Sequence, residues 1–315
     1  MSVLITGAGL IGMATAEMLA TRGQDVTLLD IRRPDTLPDN VVFEEADITN
    51  AEAISRIIDM HGIREVFHTA ALLSSALRAN PALGLKVNLL GTLNVLEAAR
   101  VQGLRRVVLV SSTTVLYSGF STLGPGPIPE DAALHMVSQR PGSLYAISKL
   151  ANEQLGLLYR DLHGVDMLLL RYGAVIGGRR QAQTSVPGRL FSTLVAAARA
   201  GQPLRLDDPL LVWKGVEEFV DVRDCARAAV AALDAKKPGL GVYNIVHPQQ
   251  WTLDAVIEAV AQIYGPLQVD YDRTVNTGFA GFPYPRPAPS AIDAATRELG
   301  FTPHHDLKDS LAHWW

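Results

Sequence analysis

The stretch Thr6-Gly7-Ala8-Gly9-Leu10-Ile11-Gly12 constrains the fold more than any other part of the chain. It follows the apolar run Ser2–Thr6 and opens Leu10–Arg22, where apolar residues recur at helical spacing and stop before Gly23. A strand turning through glycines into a helix gathers backbone N–H groups and the positive end of the helix dipole at one point. The glycines permit the tight turn and let a pyrophosphate lie against the backbone. Gly7, Gly9, Leu10, Ile11 and Gly12 are therefore expected to bind a dinucleotide. The next strand, Val26–Asp30, ends on a carboxylate placed to take the ribose hydroxyls of the adenosine, with Ile31 and Arg32 beside it. That carboxylate repels a 2′-phosphate, so NAD is the expected cofactor; NADP is the lesser alternative, which Arg32 and Arg33 leave open.

The other apolar runs alternate with helical patterns. Val41–Glu45, Glu65–His68, Arg106–Ser111 and Met167–Tyr172 read as strands, and Ala51–His61, Leu83–Arg100 and Ser143–His163 as helices. Such alternation implies α/β architecture with a parallel sheet covered on both faces. Right-handed crossovers make it a doubly wound, Rossmann-like sheet. Beyond residue 172 the pattern loosens into Gly177-Gly178-Arg179-Arg180, a helix near Arg189–Ala200, a strand over Val242–Ile245 and a helix over Leu253–Tyr264. Phe282–Pro289 carries too many prolines for a regular element. The expected division is a dinucleotide-binding domain over 1–172 and a smaller, mainly substrate-binding C-terminal lobe over 173–315, with segments returning to the sheet.

Charge and cysteine usage exclude several function classes. A formal net charge of −4 without blocks of Lys or Arg does not suit a nucleic-acid partner. The single cysteine, Cys225, excludes a disulfide framework and a cysteine zinc site, and reads as a packing residue. No apolar run reaches the roughly 20 residues that cross a bilayer. The chain opens directly on a strand pattern without a signal-peptide layout, so a cytoplasmic protein acting on a small molecule is expected. No metal site is expected. His68 ends a buried strand without a nearby ligand set and reads as structural or cofactor-adjacent, and Trp213, Trp251, Trp314 and Trp315 are too scattered to define a binding stripe.

Tyr145-Ala146-Ile147-Ser148-Lys149 places a phenol and an ammonium on one helix face. A phenol with a pKa near 10 is a poor base at neutral pH. One ammonium about 4 Å away at an effective dielectric of about 20 contributes about 4 kcal/mol, enough to lower that pKa by 2–3 units. Tyr145 and Lys149 are therefore the expected catalytic pair, moving a hydroxyl proton while a cofactor takes a hydride.

These motifs together resemble the extended short-chain dehydrogenase/reductase superfamily, in its NAD-dependent epimerase/dehydratase branch, over nearly the whole chain. The glycine loop is one residue shorter than that family's commonest spacing. The resemblance implies that Asp47 and Ile48 lie beside the adenine and that Thr69, Ala70 and Ala71 line the cofactor, together with Asn88 and Ser111. It also implies cofactor contacts at Tyr145, Lys149, Tyr172 and Val175, and a homodimer built on helices Leu83–Arg100 and Ser143–His163. The segment Val110–Tyr117 resembles the one carrying the catalytic hydroxyl, which falls on Thr113, with Ser112 as second choice. Phe219–Asp224 and Asp293–Pro303 resemble further landmarks of the family.

Departures from the family narrow the chemistry. Dehydratases of this branch carry Asp-Glu after the catalytic Thr; here Thr114-Val115 follows, which excludes water elimination, and no extra groups stand there for decarboxylation. Nucleotide-sugar enzymes hold the diphosphate with donors at positions that here are Ala174 and Glu217. The expected activity is hydride transfer at a secondary alcohol or ketone of a small sugar-like substrate, met by Ser74, Thr113, Thr114, Arg179 and Arg286. A nucleotide-sugar 4-epimerase is the alternative enzyme, and a non-catalytic dinucleotide sensor the alternative of another class.

Overall fold

The buried run Val3-Leu4-Ile5 forms the middle of a parallel sheet whose strands are apolar on both faces, as a sheet covered on both sides requires. The computed structural model describes residues 2–135, 137–178, 185–236 and 238–313. The first half contains β1 (Ser2–Thr6), α1 (Leu10–Thr21), β2 (Asp25–Asp30), β3 (Val41–Glu45), α2 (Ala51–Met60), β4 (Glu65–His68), α3 (Ser74–Ala79), α4 (Pro81–Leu85), α5 (Gly91–Gln102) and β5 (Arg106–Ser112). A 3-10 turn over Thr113–Gly119 leads through a loop to α6 (Leu144–His163), β6 (Met167–Tyr172) and β7 (Ala174–Ile176). The remainder is α7 (Val186–Ala200), β8 (Leu204–Leu206), β9 (Glu217–Asp221), α8 (Val222–Asp234), β10 (Val242–Ile245), β11 (Gln250–Trp251), α9 (Leu253–Tyr264), β12 (Val269–Tyr271), α10 (Asp293–Leu299) and α11 (Leu307–Ala312).

The main sheet runs β10-β6-β5-β4-β1-β2-β3, with every pairing parallel. The strand order reverses between β1 and β4, and the crevice outside the carboxyl ends at such a point is where doubly wound sheets bind ligands. One face packs against α1, α8 and α10 through residues such as Leu19, Ala228, Ala229 and Ala295. The other packs against α2 and α5 through Ile54, Ile57, Val95 and Leu96. A separate apolar cluster joins α7, β9, α9 and α11 through Phe191, Leu194, Phe219, Val256 and Leu311. The late part of the chain returns to the main sheet through β10, which pairs with β6, and through α8, which packs on α1.

Several elements have the expected bounds, among them β4, β6, β10 and α9. The helix expected over Leu83–Arg100 differs. Helical backbone starts at Pro81, where Asn80 caps Leu83 N, and is interrupted by a π turn over Lys86–Leu90. A π turn adds a residue to the helical turn, a local irregularity that often marks functional positions. Asn88 sits in it. The helix expected from Arg189 starts three residues earlier, where Ser185 caps Gly188 N and Pro187 suits the first turn. The proline-rich 282–289 stretch forms no helix or strand; an isolated bridge ties Ser290 to Ile128. Among the described residues, no helix is long and apolar enough to cross a membrane.

Candidate active site

The glycine loop crosses from β1 to α1 directly opposite the chain leaving β4. Gly7 has φ +94°, and a Cβ there would stand 2.7 Å from Thr69 Oγ1 and 2.8 Å from Ala70 N. A Cβ on Gly12 would overlap Gly7 O. Both glycines are thus fixed by backbone geometry, while a Cβ on Gly9 would meet nothing within 4 Å. Gly9 N-caps α1 without any side-chain cap, and the first turn holds no acidic residue, so the helix N-terminus keeps donors for an anion. Asp30 Oδ2 accepts from Ala8 N at 2.7 Å, which binds the β2 carboxylate to the loop. Ile31 beside it is 67% exposed, an apolar surface at the rim. Arg33 stacks on Phe43, 5.4 Å from the ring centroid. Asp47 is exposed and accepts from Thr49 N, and Ile48 is buried against Gly91. These residues fit a dinucleotide: uncapped donors for its pyrophosphate, an open glycine against which it lies, and a carboxylate for its ribose.

The crevice floor is made by the end of β5 and the start of α6. Ser143 Oγ caps Ala146 N, fixing where α6 begins and hence the face on which Tyr145 and Lys149 lie. Lys149 is buried; its Nζ donates to Val110 O at 2.8 Å and stands 5.6 Å from the Tyr145 ring centroid. Burial pushes Tyr145 up to about 12, while a hydrogen bond with Ser112 pulls it back down. Burial lowers Lys149 to about 8, and the nearby Glu153 charge opposes that fall. Tyr145 is thus raised rather than lowered as expected, because burial outweighs the contacts that favour the phenolate. The ammonium is tied to a strand carbonyl behind the ring, and desolvation of the phenolate decides the balance.

The two hydroxyls expected for the orienting role stand in different settings. Ser112, on the last residue of β5, meets Tyr145 and also accepts from Thr114 N and Oγ1. Thr113, which opens the 3-10 turn, is 1% exposed, and its Oγ1 makes no well-formed hydrogen bond while lying against Tyr117. Asn88 is buried in its π turn, donating to Leu72 O and Ser148 Oγ and accepting from Leu72 N. It thereby fixes the segment after Thr69, Ala70 and Ala71, all of them half-buried, with Ser74 opening α3 just beyond. His68 lies between Thr6 and Thr92, and burial, then the Lys149 charge, lower it to about 3, so it stays neutral.

Three further expectations change. The Ser111 hydroxyl donates to Glu153 and so faces the helix rather than the crevice. The Tyr172 hydroxyl donates to Cys225 O at 2.9 Å, which puts its side chain in the core and leaves only backbone at that point of β6, just before Val175 on β7. Arg286, expected to meet substrate, is 5% exposed and donates to Glu217 Oε1 at 2.8 Å, to Tyr117 at 3.1 Å and to Ser290 at 3.2 Å, with Glu218 at 3.0 Å. Its charge is neutralised inside the protein. For the same reason Glu217 presents no free carboxylate to the crevice. Arg179 and Arg180 lie outside the described residues. Among the described residues, no group of three or more His, Cys, Asp or Glu is placed to hold a metal.

Sequence reasoning missed Glu153 and the Tyr117–Arg286 contact. The first had a signal: it stands four residues beyond Lys149 on the same helix face. The second had none, since 169 residues separate its partners.

The sequence profile of the family described as NAD dependent epimerase/dehydratase matches residues 3–246. The mitochondrial L-threonine 3-dehydrogenase of Bos taurus is 32% identical over 282 residues, covering 86% of this chain and 70% of the bovine one. The UDP-glucose 4-epimerase of Thermus thermophilus, solved with NAD, superposes with a TM-score of 0.78 at 28% identity over 99% of this chain and 97% of that one. The holo form of an L-threonine dehydrogenase from Cupriavidus necator gives a TM-score of 0.81 at 26% identity over 99% and 98%.

Proposed function

Because the chain belongs to the NAD dependent epimerase/dehydratase family, we propose that it is an NAD-dependent oxidoreductase acting at a secondary alcohol or ketone of a small, polar, sugar-like substrate. The observation that carries this reading is the Tyr145–Lys149 face of α6 set against the carboxyl end of β5, with Lys149 Nζ on Val110 O beside the Tyr145 ring and Ser112 close to the phenol. Gly7, Gly9 and Gly12 with the α1 N-terminus hold the dinucleotide phosphates, and Asp30 holds the ribose. NAD, when bound, accepts or returns the hydride. Ser112 orients the reacting oxygen. Tyr145, protonated at neutral pH, gives its proton to a carbonyl or passes on that of an alcohol. Lys149 keeps a positive charge behind the ring below about pH 8, favouring the phenolate whenever the proton leaves.

A compact substrate suits the second half of the crevice. Arg286 is bound to Glu217 and Glu218, Arg189 pairs with Asp208, and Ala174 offers no donor. A diphosphate lacking one charge-assisted contact loses about 1.5–3 kcal/mol, ten- to a hundredfold in affinity. Ser74 and Thr114 meet a hydroxyl-bearing substrate without that demand. A homodimer fits the apolar residues exposed on the two long helical runs, Leu83, Leu90 and Val101 on one and Ile147, Leu158 and Leu162 on the other.

The test is NAD reduction by purified protein across monosaccharides, sugar acids, polyols and L-threonine, with calorimetry of UDP, GDP and dTDP at saturating NAD. Turnover of a compact alcohol without nucleotide binding is expected. Micromolar binding of a nucleotide, displaced by its nucleotide-sugar, promotes the 4-epimerase. Tight NAD binding with no turnover on any substrate promotes the sensor.

A further inference from the structure

We infer that Glu153 is a positioning residue of this site: its carboxylate ties the strand end carrying Ser112 to the helix face carrying Tyr145 and Lys149. The inference rests on the roles proposed for Tyr145 and Lys149. Residues 145, 149 and 153 recur every four positions, so their side chains follow one face of α6. Three consecutive residues of β5 meet them. Val110 O accepts from Lys149 Nζ and Ser111 Oγ donates to Glu153 Oε1, while Ser112 lies close to Tyr145. Two hydrogen bonds, from neighbouring strand residues to helix residues one turn apart, leave β5 little freedom to slide along α6.

Glu153 extends the tie to a second strand. Arg171 on β6, which stands beside Ser111 in the sheet register, donates to Glu153 through Nε at 2.8 Å and Nη2 at 2.6 Å. The remaining nitrogen, Nη1, donates to Glu130 O at 2.6 Å, in the loop that joins β5 to α6. Glu153 is 1% exposed, and a buried carboxylate requires a cation and hydrogen-bond donors. The Arg171 fork meets that need. The Ser111 bond adds a contact whose geometric effect is to set β5 against α6. A misplacement of about 1 Å at a reacting group can cost about a hundredfold in rate, so this setting bears on function.

The same carboxylate acts on Lys149 through space. Lys149 faces the Tyr145 ring and Glu153 on its own helix, His68 on β4, and the Arg171 fork on β6 beyond Glu153. His68 is neutral, and the Glu153 charge is the one that opposes the loss of the Lys149 proton. Without it, the ammonium is discharged at a lower pH.

The test needs no substrate. The chain contains six lysines, so lysine labelled with 13C at Cε gives a simple spectrum, in which Lys149→Arg identifies the signal to follow. In Glu153→Gln, folded by circular dichroism, the Lys149 midpoint is expected to fall by about one pH unit or more. Glu153→Asp, which keeps the charge, is expected to restore most of the shift. Should Glu153→Gln not fold, Ser111→Ala removes only the donor on β5, and the 13Cζ signal of Tyr145 is expected to move as its contact with Ser112 changes. An unchanged Lys149 midpoint in folded Glu153→Gln, or an unmoved Tyr145 signal in Ser111→Ala, overturns the inference. A shifted midpoint in a protein that turns over no alcohol overturns the oxidoreductase reading and leaves the tie standing.

Discussion

Two buried clusters in this protein use nearly the same side chains and reach opposite states. One contains Tyr145, Lys149, Glu153 and Ser112; the other contains Tyr117, Arg286, Glu217, Glu218 and Ser290. In the second, the guanidinium bonds both carboxylates and the phenol, and lies between the Tyr117 and Phe120 rings at 5.1 and 5.0 Å. Burial works against the Arg286 charge, yet Glu217 and Glu218 hold it above its ordinary value. Burial and the Glu217 charge push Tyr117 far above the range of a free phenol. The Tyr117 phenol and the Arg286 guanidinium both keep their protons at neutral pH. In the first cluster the carboxylate is taken up by Arg171, and Lys149 is left with one carbonyl, close enough to neutrality to titrate. An ammonium shifts its pKa readily on burial and a guanidinium does not. The lesson is that saturation makes a structural joint, whereas one incompletely compensated charge leaves a group able to titrate near neutral pH.

The widest separation between the clusters is expected from removing each phenol. Tyr145→Phe keeps the ring and loses the proton, so turnover should fall by about 10²–10⁴ with little change in urea stability. Tyr117→Phe should do the reverse: turnover persists, while Glu217 Oε2 and one Arg286 nitrogen lose a partner, at about 1–3 kcal/mol. Retention of more than about a tenth of activity in Tyr145→Phe, an effect under about 1.4 kcal/mol, removes the chemistry from the first cluster and ends the contrast.

Arg286→Met asks whether the second cluster is a structural joint. It leaves two adjacent carboxylates buried without a cation, and breaking a buried pair in this way costs about 3–5 kcal/mol. Urea melts at pH 7 measure it. A loss below about 1 kcal/mol, the usual value of an exposed pair, shows that water reaches the carboxylates and that the cluster is not sealed.

How much of this was readable in advance follows from the range of each interaction. Gly7, Gly12 and Asp30 were legible because a strand, a turn and a helix specify them within one βαβ unit. The Tyr145–Lys149 face follows from helical periodicity, which also extends to Glu153. The choice between Ser112 and Thr113 was not legible: it depends on where β5 stops and the 3-10 turn begins, and one residue of difference reverses the side chain's direction. Ser111 and Tyr172 failed for a related reason, since a strand residue lining a crevice through its backbone can aim its side chain at the core. Arg286 lies in a proline-rich stretch with no periodicity, and only the tertiary fold brings Glu217 to it.

The smallest effect is expected from Glu217→Gln, and its sign separates charge balance from hydrogen bonding. The second cluster holds two carboxylates for one guanidinium, so charge alone requires only one of them. Burial raises the Glu217 pKa above its ordinary 4.5; Arg286 opposes that rise and the Glu218 charge adds to it. Between 4.5 and its higher value in the fold, the native protein holds a proton that the unfolded chain has lost. Stability from this group is therefore complete below 4.5 and is lost as pH rises through the raised value. An amide never ionises and still offers an oxygen to Arg286 Nε and Glu218 N, where Glu217 Oε1 now accepts. Glu217→Gln should thus cost less than about 1 kcal/mol at pH 7, against several for Arg286→Met. It should also flatten the stability profile above pH 4.5, which urea melts from about pH 4 to 8 would show. A loss as large as that of Arg286→Met would mean that both carboxylates are needed as charges, and the joint would then be held by a stronger electrostatic demand than one cation and one counter-ion can explain.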